Sequence, residues 1–190
     1  MGAMRYALTA SERAFKASVR EFADRASRPA DDGGFSGPGA GEAWTSDLGR
    51  WLSASRPGGL SRVEEVVALE EISRRCPAAA PELVACGMFK TLGPGLCRAA
   101  ARLGAAQGAL SRGIARLAGS RGPAPAFLQD VADAATGIEA ARLKLYRAAI
   151  LEDAGKASPE ESLRAELSAE ALAREAGGLS ERIGGGNDEP

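Results

Sequence analysis

The stretch LCRAAARLGAAQGALSRGIARL, residues 96–117, carries the reading of the fold. Leu96, Ala100, Leu103, Gln107, Leu110, Ile114 and Leu117 follow one another in steps of four and three, the seam of a long bundle helix. Ala99, Ala106 and Ala109 run beside that seam. Gly119 to Pro125 interrupts the pattern, which resumes over residues 127–153 with Val131, Ala135, Ile138, Leu145 and Ala149 expected inward. Ala134, Ala141 and Ala148 flank this second seam. A helix with one buried side shows charge at such flanking positions, whereas alanine lets helices approach closely. Both helices are therefore expected to meet neighbours on more than one side, with a second subunit among them.

Downstream, Ser158-Pro159-Glu160-Glu161 is a strong helix start. Serine is placed to cap, proline stands where its missing N–H costs nothing, and Glu161 is placed to reach back. Gly177-Gly178 is the expected end of that helix. Upstream, Thr9 and Glu12 form a capping box for a helix over 10–25, whose stripe is Phe15, Val19, Phe22 and Ala26. The run from Asp31 to Gly41 is too rich in glycine for a helix. A short helix then carries Trp44, Leu48, Trp51 and Leu52 on one face, ended by Pro57-Gly58-Gly59. Ser61 and Glu64 cap a third helix with Val63, Val66, Val67 and Glu70 on one face, and Cys76-Pro77 ends it. Pro81-Glu82 opens a fourth segment through Phe89.

No segment alternates at a period of two, so the expected class is all-α, a helical bundle in one domain over 1–190. Residues 8–92 form its N-terminal part and 93–190 a part like a four-helix bundle, with 28–43 and 184–190 flexible. A chain of 190 residues, 45% hydrophobic and 5% aromatic, suits packed helices with a sizeable core. The formal net charge of −1, with both signs interspersed, argues against nucleic acid and anionic membrane as partners. No apolar run approaches a membrane span and the first residues show no signal-peptide core, so the expected location is cytoplasmic. Cys76, Cys86 and Cys97 follow no ligand or disulfide spacing, and reduced thiols are expected. There is no histidine. That removes Ser-His-Asp and Cys-His nucleophiles and most zinc sites, and no carboxylate or thiolate cluster stands at metal-ligand spacing.

Several stretches resemble the acyl-CoA dehydrogenase family. In the C-terminal half they are Val131-Ala132-Asp133, Ile138-Glu139-Ala140-Ala141-Arg142-Leu143, Tyr146-Arg147-Ala148-Ala149 and Asp153-Ala154-Gly155. In the N-terminal half they are Leu8-Thr9, Glu12-Arg13, Val19-Arg20-Glu21-Phe22-Ala23, Pro29, Gly58-Gly59-Leu60 and Leu69-Glu70-Glu71-Ile72. The resemblance implies the family's N- and C-terminal helical domains joined directly, without the middle β-domain. The junction is expected between Pro81 and Leu96.

The family's reaction needs a carboxylate base, an oriented flavin and donors on the thioester carbonyl. Most members place the base downstream of the last glycine motif, beyond Pro190 here. A minority place it in a Glu-Arg step that aligns with Pro94-Gly95 when Leu103-Gly104-Ala105-Ala106-Gln107 is matched to the family pattern. Neither position holds a carboxylate, and no catalytic residue is assigned. Arg121-Gly122-Pro123 stands near the family's flavin-phosphate arginine but lacks its Phe-Gly. Arg121 reads as a solvated loop arginine, with phosphate contact as the alternative. Glu181-Arg182-Ile183-Gly184-Gly185-Gly186-Asn187 resembles the family's glycine-rich adenine motif, so Gly184 and Gly185 are relic candidates, or part of a frayed tail. Gln107 is expected to bond across the bundle rather than meet a ligand. Glu70 and Arg142, both on inward faces, are expected to pair and set register between the two halves.

The resulting expectation is a degenerate acyl-CoA dehydrogenase-like chain without its own flavin site or base. It would act as a non-catalytic binding or assembly subunit, a homodimer or a heteromer with a dehydrogenase-like partner, with no cofactor of its own. The alternatives are a subunit of a hetero-oligomeric acyl-CoA dehydrogenase, with FAD shared with its partner, and a cofactor-free acyl-thioester enzyme or binder. The second alternative would be favoured by a pocket lined with carboxylates of raised pKa.

Overall fold

A computed structural model describes residues 7–26, 40–85, 87–89, 91–118 and 125–185. Among these there are seven α-helices and no strand: α1 Ala10–Ala26, α2 Ala40–Ser55, α3 Arg62–Arg75, α4 Ala80–Ala85, α5 Pro94–Ala118, α6 Pro125–Asp153 and α7 Pro159–Gly185. One 3-10 turn, Pro77–Ala79, precedes α4. The all-α reading holds.

The caps act largely as their spacing demands. Glu12 reaches back to the Thr9 amide (2.6 Å) while Thr9 Oγ1 accepts from the Glu12 amide (3.2 Å). Ser61 and Glu64 exchange the same pair of bonds, at 3.2 and 3.0 Å. α5, α6 and α7 each open with proline, whose fixed φ suits the first helical position. Glu161 departs from expectation. Its carboxylate lies 3.3 Å from Arg147 on α6, so it ties two helices together at the point where α7 begins. α6 stops at Gly155, which takes φ +67°. Lys156 N–H then donates to Leu151 (2.8 Å) and Gly155 N–H to Glu152 (3.1 Å), a Schellman closure.

α3 lies at the centre. Its sequence shows one apolar face, but Val63, Glu65–Ser73 are all buried, because α1, α5 and α6 surround it. α5 crosses α3 at Gly104 and Gly108. A Cβ at Gly104 would overlap the Glu70 carbonyl, and one at Gly108 the Arg74 carbonyl. Hydrogen alone fits there. The contact of Gly108 with Arg74 places the end of α3 about halfway along α5.

That ending accounts for one departure from the expected seam. Leu96, Ala100, Leu103 and Leu110 are buried, but Ile114 is 45% exposed, since α5 has by then run past the end of α3. On α6 the buried positions are Ala134, Ile138, Ala141–Arg142, Leu145–Tyr146 and Ala148–Ala149, while Ala135 is exposed. Ala134 thus takes the place expected for Ala135, while Val131 and Ile138 pack inward as expected. The alanine stripes are covered within the chain: Ala99, Ala106, Ala134, Ala141 and Ala148 are buried among α5, α6 and α7, and Ala109 is half-buried. They leave no small-residue face for a second subunit.

Two helix boundaries differ from the sequence reading. α2 begins at Ala40, inside the glycine-rich run, and buries Leu48 and Leu52; Trp51 stacks on Phe22 at 5.0 Å. The Trp44 side chain lies outside the described residues. α7 continues through Gly177-Gly178 to Gly185, because Leu179 and Ile183 beyond the glycines are buried. Two mid-helix glycines cost about 2 kcal/mol. Burying a leucine and an isoleucine is worth more, about 1.5–3 kcal/mol each.

Candidate functional site

The densest chemistry in the fold is a polar cluster where α1, α3 and α6 meet. Its centre is Glu70, on the central helix between Leu69 and Ile72, with no exposed surface. Arg142 Nε donates to Glu70 Oε1 at 2.6 Å, and Tyr146 Oη donates to Glu70 Oε2 at 2.7 Å. Arg142 and Tyr146 are one turn apart on α6, so both reach the same carboxylate. From α1, Lys16 Nζ donates to Tyr146 Oη at 2.8 Å and stands 3.6 Å from Glu70. Arg142 Nη2 donates to Gln107 Oε1 of α5 at 2.5 Å, and its remaining nitrogen pairs with Glu139. Four helices are joined through one guanidinium and one carboxylate.

Glu71, also fully buried, anchors the other side. Arg20 donates to it twice, at 2.9 and 3.0 Å, Arg74 once at 3.0 Å, and Lys16 lies 3.3 Å away. Burial pushes the Glu71 carboxyl upward, but the Arg20 bonds and the charges of Lys16, Arg20 and Arg74 outweigh it and hold the group at about 2. Burial and the neighbouring Glu70 carboxylate push the Tyr146 hydroxyl well above its usual range. Burial opposes the charge on Arg142, yet Glu70 and Glu139 keep its pKa above the usual arginine value. Tyr146 is thus a fixed donor and Glu71 a fixed anion. Such a cluster holds helices in register.

A third buried carboxylate of α3, Glu65, faces the opposite side of the helix. Its oxygens accept from Thr91 Oγ1 (2.8 Å) and the Leu92 amide (3.0 Å), tying down the residues that lead into α5. Burial raises its pKa against those bonds. Cys97 lies nearby, and burial with the Glu65 charge pushes its thiol up to about 11, which leaves it unreactive at ordinary pH. Cys76 and Cys97 are free; Cys86 lies outside the described residues. No group of three potential metal ligands occurs among the described residues.

The described surface also has an open groove of about 340 Å³ between α4 and α5. Pro77, Pro81, Val84 and Ala101 line it, and Arg98 and Arg102 stand at its rim. Those arginines are engaged from α7: Arg98 Nε donates to Glu166 at 2.5 Å and Arg102 Nη1 to Glu170 at 3.0 Å. The groove therefore offers apolar carbon and neutralised charge, and no carboxylate lines it.

Arg121 lies outside the described residues. Gly184 and Gly185 form the last turn of α7. Pro94, at the position matched to the alternative catalytic base, opens α5, and Gly95 beside it faces a carboxylate of α7: a Cβ there would stand 3.1 Å from Glu166 Oε2. The expected pairing of Glu70 with Arg142 and the cross-bundle bond of Gln107 are both present. Lys16, Arg20, Glu71 and Tyr146 were missed. The adjacent acids flanked by Leu69 and Ile72 carried a signal for Glu71, whereas Lys16, Arg20 and Tyr146 read as ordinary polar positions on their own helices. Comparison with protein-family models, curated proteins and solved structures returned no match for this chain.

Proposed function

We propose that this chain is a non-catalytic binding and assembly subunit, descended from the helical domains of an acyl-CoA dehydrogenase that lost its β-domain. One observation carries the assembly reading. α6 and α7 expose large apolar side chains on their outer faces: Leu128 (54%), Leu143 (55%), Leu163 (55%) and Leu167 (57%). Single exposed leucines are ordinary, and Leu128 stands about 22 Å along α6 from Leu143, but Leu143, Leu163 and Leu167 share one level of two neighbouring helices and form a surface suited to another protein. Support for the ancestry comes from α3 packing directly on α5 and α6, and α4 on α5, the arrangement that excision between Pro81 and Leu96 would leave. Support for a non-catalytic role comes from the cluster itself, because the oxygens of Glu70 and Glu71 are committed to helix-to-helix bonds.

The test uses the purified chain, alone and mixed with a full-length acyl-CoA dehydrogenase subunit. Sedimentation velocity should show self-association or a mixed complex, and the absorbance spectrum of the chain alone should lack a flavin band. A monomer under both conditions refutes assembly. A stoichiometric flavin band refutes the non-catalytic reading.

A further inference from the structure

α7 carries one outward stripe. Glu160, Leu163, Leu167, Ala171 and Arg174 recur at steps of three and four, and every one is exposed. The stripe is complementary to itself about Leu167. Glu160 and Arg174 each stand seven residues from that leucine, about 10.5 Å along the axis, and Leu163 and Ala171 each stand four. We propose that this face pairs with the same face of a second copy of the chain, the two α7 helices antiparallel about a twofold axis at Leu167.

That axis puts Leu167 of the two copies together. It sets each Leu163 against the small Ala171 of the other copy, large into small. Each Glu160 then lies level with Arg174 of the other copy. A parallel pairing would oppose Glu160 to Glu160 and Arg174 to Arg174, so charge selects the antiparallel arrangement. The ions are available for it. Arg174 joins no ion pair among the described residues. Glu160 has only an intrahelical pair with Arg164 at 3.6 Å, both side chains largely in water. α6 adds to the same region: the pairs Lys144 with Ser168 and Gly137 with Leu172 place Leu143 level with Leu167. A closed, isologous contact of this kind ends at two copies. The contact is one helix pair, and association in roughly the micromolar range is expected.

This inference rests on the assembly reading above and is tested separately from it, by sedimentation equilibrium of the full chain over a concentration series. Wild type should dimerise. Leu167→Lys, an exposed change whose circular dichroism should match wild type, should weaken the dimer more than about tenfold by opposing two lysines at the axis. Glu160→Arg and Arg174→Glu alone should each weaken it about three- to tenfold, and the double swap should restore it to within about twofold of wild type. A dimer that survives Leu167→Lys overturns the pairing and leaves the assembly reading standing. Failure of the double swap to rescue overturns the antiparallel arrangement. A wild-type monomer through tens of micromolar overturns the pairing; if no complex forms with a dehydrogenase-like subunit either, the assembly reading falls with it.

Discussion

Gly104→Ala is a small substitution on which two effects of opposite sign compete. In an unobstructed helix, alanine in place of glycine gains about 1 kcal/mol. At Gly104 the new Cβ would stand 2.8 Å from Ser73 Cβ and 2.9 Å from the Arg74 nitrogen, and would overlap the Glu70 carbonyl. Carbon contacts settle at about 3.5–4.0 Å. The obstruction is mainly backbone of a central helix, so no rotamer change relieves it, and α3 and α5 must part by roughly 1 Å. A gap of that size forfeits a quarter to a half of the dispersion between the faces, and it stretches Arg142–Gln107 and Arg142–Glu70. Overpacking of this kind costs about 1–3 kcal/mol and more where backbone must move, so we expect a net loss of roughly 3 kcal/mol. For a chain of this length that corresponds to a thermal midpoint roughly 6–12 °C lower. Urea unfolding followed by far-ultraviolet circular dichroism measures the loss directly. Gly177→Ala and Gly178→Ala are the internal control. Nothing lies within 4 Å of a Cβ at either position, so each should stabilise by about 1 kcal/mol. Gly104→Ala/Gly108→Ala should cost less than the sum of the singles, since one helix separation relieves both clashes. A neutral or stabilising Gly104→Ala would refute the close crossing.

Glu70→Leu should destabilise by about 3–5 kcal/mol because Arg142 loses its buried counter-ion and Tyr146 its acceptor, whereas Glu70→Leu/Arg142→Leu should recover much of that; a single variant within about 1 kcal/mol of wild type would sink the register role. Glu71 makes stability pH-dependent. Its folded value of about 2 lies below the ordinary 4.5, so its contribution is complete above pH 4.5 and fades as pH falls toward 2, on the order of 3 kcal/mol in all. Thermal midpoints across that window should drop in wild type and drop less in Glu71→Gln; parallel curves would contradict the assignment. Cys97, with its thiol pushed up to about 11, should resist alkylation at pH 8 until the chain unfolds, while half-buried Cys76 reacts first. Mass mapping that finds Cys97 labelled early in the native protein would disprove its protection.

What the sequence determined alone is local and periodic. The Thr9–Glu12 and Ser61–Glu64 boxes, the breaks at Pro57-Gly58-Gly59 and Cys76-Pro77, and the long helices α5 and α6 depend on residues within a turn or two of each other, and they formed as their spacing requires. The pairing of Glu70 with Arg142 was also legible, because a charge on an inward face must find its opposite there. Tertiary packing decided the rest. Glycines at 177 and 178 stay helical because Leu179 and Ile183 are buried beyond them, and Ile114 is exposed because α3 ends early. Ala134, Ala141 and Ala148 are spent inside the bundle, a choice among neighbours that periodicity cannot make. Lys16, Arg20 and Tyr146 joined the buried cluster for the same reason: on their own helices they read as ordinary polar positions, and only the approach of α1 and α6 to α3 brings them to one pair of carboxylates.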